Sequence, residues 1–192
     1  MQRVRYLSHA QVRIDPATPV PDWGLSDVGR ARTAALAATN GLKCTGLIVS
    51  SGERKASETA LIIAASLGLK VEIREAMHEN DRSATGFLPP LELEVVANQF
   101  FAKPSESAKG WERAVDAQAR IVREVEAVLA RDLDGDVLFV GHGAVGTLLY
   151  CHYDGLSIDR RYDQPASGGN YFTFSMTDRR VEHPWRPMEQ FR

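Results

Sequence analysis

Short apolar runs that end in polar residues alternate with helical segments along this chain, and this alternation limits the folds open to it. Residues 4–7, 46–49 and 137–140 have the length and apolar content of buried strands. A segment with helical character follows the second and the third of these runs. Strands that alternate with helices favour a mostly parallel sheet covered by helices on both faces. We therefore predict an α/β fold, a three-layer α/β/α sandwich around a mostly parallel sheet of about six strands.

Local signals locate the helices and two weaker strands. Helical spacing and end signals predict helices over residues 27–39, 56–67 and 111–131. Ser26 is a suitable N-cap for the first helix, and Gly68 ends the second. Two further strands are predicted over residues 69–73 and 171–176, the later one as a candidate edge strand. Residues 75–109 have the least regular pattern and are expected to lie over one end of the sheet.

The composition favours one globular domain over residues 1–192. With 192 residues and 44% hydrophobic content, the chain is long enough to bury a core. The net charge is −2, from 23 basic and 25 acidic residues, and no basic run follows the pattern of a nucleic-acid-binding surface. We therefore expect neither nucleic acid nor membrane as a partner. Oligomeric state is left open, with a homodimer as one option.

The cysteines and the first residues bear on the cellular compartment of the protein. Cys44 and Cys151 both lie in apolar stretches and are predicted to be buried free thiols. The start has no apolar signal region, and no apolar run approaches the ~20 residues that a membrane span needs. These features predict a cytoplasmic location.

Two histidines directly follow predicted strands. His9 comes after the first strand, and His142 comes after the strand over residues 137–140, with a glycine on each side. A parallel sheet brings both to the same edge, where ligands bind in such folds. Glycines let a ligand approach the backbone, and free amides at a helix start attract anions. The pair therefore predicts a phosphate pocket.

Two cations, Arg54 and Lys55, fall in the first turn of the helix that follows the second strand. Positive charge at a helix N-terminus opposes the helix dipole. An anionic ligand or a carboxylate partner explains these cations, and an exposed surface pair is the ordinary alternative.

Five motifs in order resemble the histidine phosphatase superfamily, also called phosphoglycerate mutase-like. They are LSHA (7–10), LSDVG (25–29), SSGERKASETA (50–60), MHEND (77–81) and VGHG (140–143). Gly110-Trp111-Glu112 and Arg120 are similar to a further stretch of the family. The resemblance spans about residues 4–175.

This resemblance implies a two-step reaction on a small phosphorylated metabolite. His9 is implied as the nucleophile that forms a phosphohistidine, which water then cleaves. Glu79 is implied as the acid and base, with Asp81 and Glu75 as fallbacks. His142 is implied to stabilise charge on the transferred group. No metal or other cofactor is implied.

Several positions depart from the family pattern. Ser8 stands in place of an arginine, Ala10 in place of a glycine, and Lys55 in place of a second arginine. Asp15 falls where an asparagine often contacts phosphate. Each change at Ser8, Lys55 and Asp15 weakens anion binding, since a bidentate guanidinium is lost or a negative charge is added. We therefore expect slow turnover, and Arg54 or Arg82 is predicted to replace the missing arginine. The predicted phosphate-binding set is Ser8, Asp15, Arg54, Lys55 and Arg82.

Other functions stay open at this stage. A phosphate-binding or regulatory protein that has lost catalysis fits the same fold. A phosphoglycerate mutase is disfavoured by the reduced set of cations. A metal hydrolase built from His9, His142 and Glu79 is disfavoured because no local pair has metal-ligand spacing. In the phosphatase interpretation, residues 82–109 form an insert over the active site.

Overall fold

The computed structural model describes residues 2–191, which form one six-stranded sheet with helices on both faces. The strands are β1 (Arg3–Ser8), β2 (Thr45–Ser51), β3 (Val71–Arg74), β4 (Asp136–Gly141), β5 (Asn170–Ser175) and β6 (Val181–Pro187). Their order in the sheet is β3-β2-β4-β1-β5-β6. The first four strands in this order pair in parallel with one another. Strand β5 pairs antiparallel with β1 on one side and with β6 on the other. The predicted mostly parallel α/β fold is confirmed.

Residues 2–191 contain five α-helices. They are α1 (Asp27–Ala37), α2 (Arg54–Leu67), α3 (Pro90–Ala102), α4 (Ala114–Leu129) and α5 (Gly143–Tyr153). Four of them agree with the signals in the sequence, whereas α3 lies in the region without a regular pattern. The Ser26 side chain accepts a hydrogen bond from the Gly29 amide and caps α1. Gly68 ends α2 with φ at 66°, a left-handed conformation that glycine adopts without strain.

Alternate residues of the strands face two separate cores, which gives the three layers. Tyr6 and Phe139 pack in the core that includes α4 and α5. Leu7 and Leu138 face the opposite core, which includes α2. Because successive side chains of a strand point to opposite faces, a sheet with apolar residues in both sets must be covered on both sides.

The strand register brings three chain segments to one edge of the sheet. Leu7 is paired with Val140 between β1 and β4, and Ser50 with Val140 between β2 and β4. The His9 amide donates to the Gly141 carbonyl oxygen at 2.8 Å, just beyond β1. The residues that follow β1, β2 and β4 therefore lie side by side.

Two sequence expectations about the sheet and the cysteines are wrong. The late strand β5 is internal rather than an edge strand, since β6 pairs with its outer side. The β6 sequence VEHPWRP has two prolines and alternates polar residues, so it lacks an apolar signal, and an edge strand tolerates prolines. Cys44 is exposed, because it lies in the turn before β2 rather than in the strand, whereas Cys151 is buried as predicted.

The irregular region, residues 75–109, contains the short 3₁₀ helix Glu75–Met77 and α3, and it packs in the core that includes α4 and α5. Val96, Phe100 and Phe101 of α3 are buried together with Trp111. Within residues 2–191, no helix combines the length and the apolar character needed to cross a membrane.

Candidate active site

The strand ends bring His9 and His142 into contact. Their ring centroids are 5.4 Å apart, with the rings edge to face. His9 follows β1, and His142 is the N-cap residue of α5 after β4. The carboxyl edge of a parallel sheet therefore holds both rings on rigid elements, as the strand pattern predicts.

The His9 ring is oriented by a bond to its own neighbour. Its Nδ1 lies 2.8 Å from the Ala10 carbonyl oxygen. A carbonyl oxygen only accepts, so Nδ1 carries the proton and Nε2 presents a lone pair. Burial, together with the nearby His142 and Lys55, lowers the pKa of His9 to about 3. The ring is neutral near pH 7, as nucleophilic attack requires.

This low pKa predicts acid sensitivity of the fold. Between pH 6.5 and 3 the unfolded chain binds a proton at His9 that the folded chain does not, so stability falls as pH falls. One such group contributes at most about 1.4 kcal/mol per pH unit in this window. Urea unfolding at pH 7 and pH 5 should show a smaller decline for His9→Gln than for the wild type. Equal declines in the two proteins would contradict this assignment.

His142 is fully buried and tied to the strand ends on both sides. Its backbone amide donates to the Tyr6 hydroxyl at 3.0 Å. Its Nε2 lies 2.8 Å from Ser51 Oγ and 3.5 Å from a carboxylate oxygen of Glu53. Burial lowers its pKa, although the charges of Glu53 and Glu79 oppose this shift. Among the described residues its Nδ1 has no hydrogen-bond partner.

Glu79 reaches the start of α5. Its Oε1 accepts from the Val145 amide at 3.0 Å and its Oε2 from the Ala144 amide at 3.2 Å. Arg82 lies 3.5 Å from Oε2. Burial alone raises the pKa of Glu79, but Arg82 and His142 outweigh it and the net pKa is lowered. Glu79 is therefore a carboxylate in this state.

Arg120 holds the segment that carries Glu79. Its guanidinium pairs with Glu112 at 2.7 Å and donates to the carbonyl oxygens of Ala76 and His78 at 2.7 and 3.0 Å. The five N–H donors of a guanidinium lie in one plane, so a single arginine can donate to several acceptors at once. The Glu112 and Arg120 pair, which resembles a family stretch, thus positions the Glu79 segment.

Lys55 lies inside the protein, and Arg54 does not. Lys55 is only 4% exposed; its ammonium donates to the Val20 carbonyl oxygen at 2.9 Å and pairs with Glu53. Arg54 pairs with Glu58 at 2.9 Å, and its side chain is 60% exposed. In the sequence, an anionic ligand or a carboxylate partner explains these cations, and in the structure both cations have a carboxylate partner, Glu58 for Arg54 and Glu53 for Lys55.

Gln164, which sequence reasoning missed, occupies the space next to Ser8. The Ser8 hydroxyl donates to Gln164 Oε1 at 2.5 Å, and the Asn170 side chain donates to the same oxygen at 3.2 Å. The amide nitrogen of Gln164 faces α5, where a Cβ atom at Gly143 would lie 2.2 Å from it. Gly143 is thus needed for this close approach. No signal in the sequence marks Gln164, since 156 residues separate it from Ser8.

The predicted phosphate-binding residues divide between two places. Arg82 reaches Glu79 and stacks on Trp111, its guanidinium carbon 4.8 Å from the ring centroid. Asp15 and Arg54 instead line a groove of about 650 Å³, whose described lining includes neither His9 nor His142. Asp15 is exposed and accepts from the Thr18 hydroxyl at 2.8 Å. The structure therefore does not bring Asp15 or Arg54 to the two histidines.

The two fallback carboxylates are less enclosed than Glu79. Asp81 accepts from the Ser83 amide at 2.8 Å in an exposed turn. Glu75 is exposed and packs beside Gly52. Within residues 2–191, no group of three or more His, Cys, Asp or Glu side chains is arranged to hold a metal ion.

Comparison with known proteins gives one family and a consistent fold. The model of the histidine phosphatase superfamily (branch 1) matches residues 9–182. A mycobacterial glucosyl-3-phosphoglycerate phosphatase, solved with inorganic phosphate, has a TM-score of 0.77 and 22% identity, with 97% of this chain and 95% of that chain covered. No curated protein sequence matches the chain.

Two further solved structures agree in fold. YhfR from Bacillus stearothermophilus has a TM-score of 0.78 and 19% identity, and the match covers 96% of this chain and 95% of that chain. A putative alpha-ribazole-5'-P phosphatase from Escherichia coli K-12 has a TM-score of 0.77 and 14% identity, with 98% of each chain covered. At these identities the likeness concerns the fold.

Proposed function

The chain belongs to the histidine phosphatase superfamily, branch 1, and from its site we propose that it hydrolyses a small phosphomonoester through a phosphohistidine on His9. The observation that carries this proposal is the His9 ring: Nδ1 is bound to the Ala10 carbonyl at 2.8 Å, which leaves Nε2 as a lone-pair donor beside His142. A neutral, oriented imidazole is the form that attacks phosphorus.

In the first step of this proposal, Nε2 of His9 forms a bond to phosphorus as the bond to the leaving oxygen breaks. The electron pair of the broken bond goes to that oxygen, which takes a proton from Glu79. In the second step water attacks phosphorus, the N–P bond breaks, and the water proton passes to Glu79. His9 and Glu79 are thereby restored.

Glu79 must gain a proton before it acts as an acid. Arg82 and His142 hold its pKa below the usual range. A bound phosphoryl group adds negative charge beside the carboxylate and raises its pKa, because like charges disfavour two ionised groups. Protonation of Glu79 is therefore coupled to substrate binding in this proposal.

The proposed donors for the phosphoryl oxygens are Lys55, His142, Arg82 and the amide nitrogen of Gln164; the Ala144 and Val145 amides are bonded to Glu79. This set has one arginine near the site where the family pattern has two. A neutral amide at Gln164 binds an oxyanion more weakly than a bidentate guanidinium. Slow turnover is the expected consequence.

The second candidate is a phosphate-binding or regulatory protein without turnover. One observation favours the loss of turnover: the Glu53 carboxylate pairs with Lys55 and lies 3.5 Å from His142 Nε2, so it competes with a phosphoryl group for these donors. Such a protein forms no phosphohistidine.

Hydrolysis of a generic aryl phosphate separates these candidates. We expect wild-type turnover above the buffer rate, unchanged by EDTA, because the proposed steps use only side chains of this chain. A wild-type rate equal to buffer favours the binding protein. A rate that EDTA removes and added metal restores contradicts the metal-free mechanism.

A further inference from the structure

The side chain of Glu53 points into the candidate active site instead of capping its own helix. Glu53 is the N-cap residue of α2, yet its side chain makes no capping hydrogen bond. Only 10% of the side chain is exposed. A carboxylate that is shielded from water and does not cap its own helix needs other charged or hydrogen-bonding partners.

Three groups that can donate hydrogen bonds surround this carboxylate, and one of them, His142, also has a hydrogen bond to Ser51. The Lys55 ammonium pairs with one oxygen, and the Glu79 amide donates to the other at 2.8 Å. His142 Nε2 lies 3.5 Å from that second oxygen. An ammonium, a backbone N–H and an imidazole that converge on one anion form an anion-binding site, and a residue of the chain fills it.

Two of these donors are the groups that the proposed function assigns to the phosphoryl oxygens. Burial raises the pKa of Glu53, but His142 and Lys55 outweigh it and lower the pKa to about 2. Glu53 is therefore negatively charged at any pH at which the protein is assayed. An incoming phosphoryl group meets a like charge on its own donors.

We propose that Glu53 is an internal competitor that occupies the phosphoryl subsite, so that phosphate binds only when the Glu53 side chain releases Lys55 and His142. This proposal rests on the proposed function for the identity of the subsite. It makes Glu53 a specificity-determining residue, because it disfavours ligands with the highest negative charge. It also gives Lys55 a charged partner while the site is empty.

Glu53→Gln tests the proposal directly, since it removes the charge and keeps the size and the hydrogen-bonding reach. Binding of inorganic phosphate is measured by titration calorimetry for the wild type and the variant. We expect phosphate to bind at least tenfold more tightly to Glu53→Gln. Unchanged or weaker binding overturns the proposal, because Glu53 then supports the site rather than competing for it.

Two further variants control the measurement. Glu58→Gln removes a negative charge from the same helix, where Glu58 pairs with Arg30 and Arg54 instead of the site. It should change phosphate affinity by less than twofold. A gain as large as that of Glu53→Gln would show that the effect comes from the net charge of the protein and not from the position of Glu53. Glu53→Asp keeps the charge but shortens the reach by one methylene, and an intermediate gain is expected. It also provides the test if Glu53→Gln does not fold, which thermal melting reveals.

The outcome is independent of turnover. If Glu53→Gln binds phosphate more tightly but neither the wild type nor any variant hydrolyses a phosphate ester, the competition by Glu53 is supported and the phosphatase function is contradicted. Hydrolysis that depends on His9, together with unchanged phosphate affinity in Glu53→Gln, removes the competitor alone.

Discussion

His9→Ala should abolish the hydrolysis of aryl phosphates, with kcat/KM reduced about 10³-fold or more. The reason is that the proposed reaction has no first step without a nucleophile. A loss of this size does not arise from phosphate binding, because alanine at position 9 leaves Lys55, Arg82 and His142 in place. The measurement is the initial rate with one aryl phosphate over substrate concentrations from limiting to saturating, which gives kcat and kcat/KM.

A trapped intermediate makes this prediction sharper. Rapid quenching of the wild type under alkaline conditions, followed by peptide mass spectrometry, should find a phosphoryl group on the peptide that contains His9. The matched control is His152→Ala, which removes an exposed histidine at the end of α5. It should keep wild-type activity. If His9→Ala retains hydrolysis, the nucleophile lies elsewhere and the phosphohistidine mechanism is wrong.

The second large effect is expected for Glu79→Gln, and it depends on the leaving group. An alkyl phosphate expels a basic oxygen that needs a proton, so loss of the acid should cost about 10²–10⁴-fold in kcat/KM. An aryl phosphate with an acidic phenol leaves as its anion, so the loss should be much smaller. Glutamine keeps one acceptor oxygen for the Ala144 and Val145 amides, where the carboxylate has two.

The ratio of the two losses identifies the acid. Glu75→Gln and Asp81→Asn are the comparison variants, since the family pattern leaves these carboxylates as fallbacks. The variant whose loss is selective for alkyl phosphates marks the proton donor. Equal losses on both substrates in Glu79→Gln would instead assign this residue to binding.

Local signals in the sequence located most elements correctly. The apolar runs before His9 and His142 correspond to β1 and β4, and Ser26 and Gly68 mark helix ends as their chemistry predicts. These signals succeed because caps and buried strands depend on neighbours within a few residues. Strand β6 was missed because an edge strand needs little apolar content.

The cations of α2 illustrate where the sequence could not decide. Arg54 and Lys55 are adjacent, and either one fits an anion site by pattern alone. Successive helical residues point about 100° apart, and the buried side of α2 includes Lys55 and Ala56 but not Arg54. The structure turns Lys55 inward, where it is 4% exposed, and leaves Arg54 with Glu58 at the surface.

The position of the two histidines and the groups around them differ in how far the sequence predicts them. The strand pattern alone predicts that His9 and His142 share one edge of the sheet, since residues that follow parallel strands meet there. Their surroundings are visible only in the folded chain, where Glu53 pairs with Lys55, Gln164 lies beside Ser8, and Glu79 accepts from the start of α5. The contacts of Gln164 and Glu79 join residues far apart in the chain, and Glu53 reaches Lys55 because both side chains turn inward at the start of α2. Their partners depend on how the loops pack, which no local pattern of residues encodes.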